Sequence, residues 1–168
     1  MPENNTPSNQ VSSPFQADSP INQAIASKLV ETGFSFTSTT ALEASKKEYL
    51  IRYWSLPFPV PLKTETTRPA ALTLAAFYMD NAIRFWATVI ANRKLTDSER
   101  VAISESIREP YRYARVSIDN SDNSLITVEA DFHIDSVGAV TRGLLDAAIS
   151  SIYHASLKII ADNNFSPS

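Results

Sequence analysis

The sequence has no cysteine, only three glycines, two methionines and two histidines. Without cysteine there is no disulfide framework, no thiolate metal site and no cysteine nucleophile. Glycine occurs only at Gly33, Gly138 and Gly143, so neither a glycine-rich phosphate loop nor a dinucleotide fingerprint can be assembled. A nucleophile elbow is missing too, and the carboxylates are scattered without the pairing used in glycoside hydrolysis. No enzyme activity, cofactor or bound metal is therefore expected. No apolar run reaches the roughly 18–20 residues needed to cross a bilayer, and the N-terminus lacks a basic start followed by an apolar stretch. The expected place is the cytoplasm, away from membranes. Basic residues are outnumbered, with Lys and Arg at 15 against Asp and Glu at 18, for a net charge of −3. Binding to a phosphate backbone needs clustered Lys and Arg, so nucleic acid is not an expected partner.

What is present suits one soluble domain. Over 168 residues, 43% are hydrophobic and 20% charged, enough apolar material for a core that needs no metal or disulfide to fold. Residues 1–18 are rich in Asn, Ser, Pro and Gln and read as a disordered tail. Residues 163–168 read as a flexible end, leaving a single α+β domain over 19–162.

Within that domain, Ser19, Pro20 and Gly33 have the cap, first-turn and exit chemistry of a helix over 19–33. Ile21, Ile25 and Leu29 form its apolar stripe. Residues 39–47 suggest a helical turn, and 48–56 a strand. The run Pro57-Phe58-Pro59-Val60-Pro61 rules out regular helix and central-strand pairing and reads as a stiff extended connection or an edge. Two strands follow at 71–79 and 82–91, joined by Asp80-Asn81, a pair that tolerates the positive φ of a tight hairpin. In the second, Ile83, Phe85, Ala87 and Val89 alternate with Arg84, Trp86, Thr88 and Ile90. Thr96 and Glu99 form a capping box for a helix ending at Pro110. Strands at 111–119 and 124–135 come next, the second with Ile126, Val128, Ala130, Phe132 and Ile134 facing in. A long helix over roughly 137–161 closes the chain. The order α-β-β-β-α-β-β-α predicts an antiparallel sheet of about five strands with helices packed on one face.

Two clusters invite a metal reading. Asp119, Asn120, Asp122 and Asn123 fail calcium-loop spacing, because starting from Asp119 the glycine position is Ser124 and the closing Glu position is Ala130. They have the chemistry of a hairpin turn. Asp131, His133 and Asp135 share one strand face, the ordinary pattern of a solvated strand, with no second His nearby. His154 falls within the last helix.

The segment "LTLAAFYMDNAIRFWATVI", the helix "ERVAISESIRE", the pair "YRYARVSIDNSDNSLITVEADFHID" and the closing helix "VTRGLLDAAISSIYHASLKII" together resemble the YbjN family over residues 71–160. That family is described as bacterial sensory-transduction regulators, with a fold similar to type III secretion chaperones of the CesT type. The departures are the lack of Asn residues before "YRYARVSID" and a first 70 residues that match only in a leading helix. The resemblance implies a non-enzymatic module that grips a partner protein segment and forms a homodimer, with no catalytic residue carried over. Trp54, Phe58, Phe77, Trp86 and Ile90 are the candidate partner-binding or dimer surface. The alternative is a regulator that senses a small molecule in a pocket between sheet and helices.

Overall fold

Asp80 and Asn81 both adopt left-handed backbone, with φ of 51° and 59°, and fold β3 (Ala70–Met79) back onto β4 (Ala82–Ile90). Positive φ at both central positions matches the twist of the paired strands, and short polar side chains tolerate it. This hairpin is the centre of the sheet. The computed structural model describes residues 19–42, 50–61 and 70–168. The tail expected at 1–18 lies outside the described residues.

The remaining strands are β1 (Thr37–Leu42), β2 (Leu50–Val60), β5 (Arg115–Ile118), β6 (Leu125–His133) and β7 (Ser166–Pro167). The sheet order is β1-β2-β3-β4-β6-β5, with β7 paired to β4 off this path. Every pairing is antiparallel. Among the described residues three α-helices accompany it: α1 (Pro20–Thr32), α2 (Asp97–Arg108) and α3 (Arg142–Asn163). The α+β architecture is as expected, but the described strands number seven rather than five.

Two local expectations are corrected, and the edge reading of the proline run holds. Residues 39–42, read as part of a helical turn, belong to β1, where Thr39 and Thr40 pair with Tyr53 and Arg52; the rest of that turn lies outside the described residues. The proline run continues β2 as an edge, one of the two readings its sequence allowed. Pro57 and Pro59 lie opposite Thr73 and Ala71 of β3, beyond the point where β1 ends at the Thr37–Ser55 pair. Proline at alternate positions withholds N–H groups on one side of a strand only, and here that side is an open edge. The C-terminal end, read as flexible, is paired. Asn164 turns left-handed at φ 55°, Phe165 is buried, and Ser166 and Pro167 pair with Ile90 and Val89. They fill the gap left where the β3–β4 pairing stops at Leu74–Ala87 while β3 continues beside β2.

The core lies between the sheet and the helices. Leu56, Leu74, Phe85 and Val128 from the strands meet Leu145 and Ile149 of α3, all completely buried. α3 crosses β3, β4 and β6, α1 packs on α3, and α2 packs on β5. α3 is long and apolar enough by length and composition to cross a membrane, and 44% of that stretch is buried in the protein; it occupies the place of a core helix. Its cap is Thr141, whose hydroxyl accepts from the Leu144 amide. The capping box of α2 forms as its sequence implies, with Thr96 and Glu99 satisfying each other's backbone amides.

Candidate functional site

Strand alternation turns the other half of the side chains away from the helices. On this face, which no described helix covers, register brings Tyr53, Phe77, Arg84 and Asp131 into one row across β2, β3, β4 and β6. Ser55, Ala75, Trp86, Glu129 and Arg115 form the next row. The small side chains of Ser55 and Ala75 leave room for the Trp86 indole to lie edge-on to its neighbours. The ring centroids are 5.5 Å apart for Tyr53 and Phe77, 5.4 Å for Phe77 and Trp86, and 6.4 Å for Tyr53 and Trp86. Such edge contacts add to the stabilisation from burial alone. All three rings are only partly buried, so this is an aromatic cluster that still meets solvent.

An ionic cluster borders the rings. Arg84 donates to both carboxylate oxygens of Asp131, at 2.7 and 3.3 Å, and Arg115 donates to Asp131 at 2.5 Å. Arg115 also lies 3.9 Å from Glu129. The hydrogen bond from Arg84, followed by the charges of Arg84 and Arg115, holds the Asp131 carboxyl below its ordinary range against the opposing effect of burial. The Arg84 guanidinium is raised in turn, first by its hydrogen bond to Asp131. It also lies 5.8 Å from the Phe77 ring centroid, a cation–π distance. Two guanidinium groups and two carboxylates thus balance one another beside the aromatic cluster.

The five surface candidates separate. Phe77 and Trp86 come together at the centre of the open face, and Ile90 lies at its end, opposite Leu125 and Ser166. Trp54 does not belong to it: parity within β2 sends Trp54 to the helix side, where it is completely buried, with no described partner for its Nε1–H. Phe58 shares that parity and packs between Phe34 and Tyr153, with centroids at 5.2 and 4.9 Å. Tyr53, Arg84, Glu129, Asp131 and Arg115 were not expected in the surface set. The adjacent Tyr53-Trp54 pair carried a signal, since only one of two consecutive strand residues can face the core.

Asp119 serves the β5–β6 turn. Its carboxylate accepts from the Leu125 amide at 2.7 Å and from the Ser121 hydroxyl at 3.0 Å. Among the described residues no three His, Asp or Glu side chains are grouped to hold a metal. Asp131 is engaged by two arginines, and His133 lies at the solvent edge of β6. Between sheet and helices the described residues form one buried apolar cluster. Clefts lined by described residues lie at the periphery, beside α2 and along the outer side of α3.

No protein-family model matches the sequence, and no curated protein matches it. Among solved structures, the chain is similar to that of YbjN from E. coli, provisionally described as a transcription regulator. The identity is 14%, the superposition covers 86% of this chain and 93% of that one, and the TM-score is 0.47. This similarity concerns the path of the chain only.

Proposed function

We propose that this protein is a cytoplasmic, non-enzymatic protein-binding module of a regulatory kind, and that the sheet face away from the described helices docks a second copy of the chain to form a homodimer. The observation that carries this reading is the Tyr53–Phe77–Trp86 cluster, three contiguous rings on a face that no described helix covers. A contiguous apolar patch of this kind marks an interaction surface, and aromatic residues with Arg are the types enriched at interface centres. The neighbouring ionic cluster favours self-docking. Arg84 and Arg115 are balanced by Asp131 and Glu129, so a second copy brings no net repulsion to this region. Two-fold association is also the commonest symmetry for such a surface.

Light scattering at micromolar concentration tests the proposal. The expected mass is twice 18.5 kDa, reduced to the monomer by Trp86→Glu without loss of the circular dichroism spectrum. A monomer across the accessible range, or a dimer indifferent to Trp86→Glu, rejects the open face as the docking surface.

A further inference from the structure

On the opposite side of the molecule, the outer side of α3 faces a cleft of about 420 Å³, within the size range of small-molecule sites. His154, Leu157, Lys158 and Ala161 line it from α3 at positions i, i+3, i+4 and i+7, which fall on one stripe of a helix. Val60 and Pro61, at the end of β2, form a second wall, and Tyr111, after α2, a third. Val60, Ile160 and Phe165 are buried and make an apolar floor. Phe165 is delivered there by the left-handed Asn164, which lets the Phe165 amide return to the Ile160 carbonyl at 3.1 Å. The polar side chains of the lining are Lys158, His154, Tyr111 and Asn164, with the Asp162 carboxylate beside the Lys158 ammonium.

The geometry points to a binding site for a free medium-chain carboxylate, with the carboxylate on Lys158 and the alkyl chain along the Val60–Ile160–Phe165 floor. Lys158 is already oriented by its 2.6 Å contact with Asp162, and an ammonium has two further N–H donors to offer a ligand. Its proton is held more firmly than usual, first by the hydrogen bond to Asp162 and then by that carboxylate's charge, with Tyr111 a further contributor from the cleft wall. The group therefore stays cationic at neutral pH. An apolar floor beside a lysine that keeps two N–H donors beyond its Asp162 contact is complementary to an amphiphile with one negative end.

Isothermal titration with octanoate, decanoate and decanol, each below its aggregation concentration, tests the site. One decanoate per chain is expected, with each methylene from octanoate to decanoate tightening binding about threefold to fourfold. Lys158→Gln weakens decanoate about tenfold, the loss of one charge-assisted contact, and leaves decanol unchanged. Ala161→Phe, at an exposed position of the lining, fills the cleft and abolishes binding of both ligands. Trp86→Glu, on the opposite sheet face, leaves binding intact. The inference is overturned if decanoate fails to bind at about 1 mM, if Lys158→Gln affects decanoate and decanol alike or neither, or if Trp86→Glu removes binding. Should Ala161→Phe lower the melting temperature, the contrast between the two ligands on Lys158→Gln decides alone.

Discussion

Arg84 and Asp131 stand directly opposite each other on β4 and β6, joined by two hydrogen bonds of 2.7 and 3.3 Å. The same guanidinium lies 5.8 Å from the Phe77 ring centroid. One side chain therefore ties the ionic cluster to the aromatic cluster, and the open face behaves as one surface rather than two patches.

Asp131→Asn is expected to destabilise the protein slightly, by less than about 1 kcal/mol, because both partners of the pair are partly exposed. The pH dependence gives the sign. The folded Asp131 carboxyl titrates below its ordinary 3.8, so the folded state releases this proton more readily than the unfolded state. The stabilisation is complete above 3.8 and fades as pH falls through the folded value. Urea titrations of both proteins should differ at pH 7 and converge in acid. A gap that widens in acid refutes the assignment.

The two tryptophans should separate in experiment as they do in space. Trp54→Ala empties a fully buried site and is expected to cost about 3–5 kcal/mol. Trp86→Ala, measured at monomeric dilution, should cost about 1 kcal/mol or less. In a Trp86→Phe protein the remaining Trp54 should emit at short wavelength and resist acrylamide. Ready quenching of that emission would place Trp54 at the surface.

The start of α2 should respond to acid in a defined window. Glu99 is lowered from 4.5 to about 2, first by hydrogen bonds from Arg93 and then by those from the Thr96 amide and hydroxyl. Its contribution is present above 4.5 and lost as pH falls toward about 2. Side-chain carbon NMR should find the Glu99 midpoint well below those of exposed glutamates. Thr96→Ala removes the cap and is expected to cost about 1 kcal/mol.

Phe165→Ala should behave as a core substitution although it lies close to the end of the sequence. The ring is buried and lies 5.9 Å from the Arg93 guanidinium. A loss of about 3 kcal/mol is expected by urea denaturation, whereas Ser166→Ala, which removes a surface hydrogen bond from Asn92, should cost less than about 1 kcal/mol. A negligible effect of Phe165→Ala would mean that the segment does not dock.

The sequence by itself determined the elements whose chemistry is local. The Ser19 and Thr96 caps, the left-handed Asp80-Asn81 turn and the two-residue alternation of β4 and β6 depend on neighbours a few positions away. Periodicity also separated Ile83, Phe85, Ala87 and Val89 from Arg84, Trp86, Thr88 and Ile90 before any partner strand was known. Tertiary structure alone decided the rest. Whether Tyr53 or Trp54 faced the helices depended on the register of β2 against β3, since a one-residue shift exchanges the two faces. Pro57 and Pro59 were compatible with a strand only because β1 stops short of them. Ser166 and Pro167 became a strand because β3 diverges from β4 and leaves backbone groups to satisfy. The open-face cluster and the α3 cleft likewise draw on residues far apart in sequence, and a pattern read along the chain has no term for contacts across it.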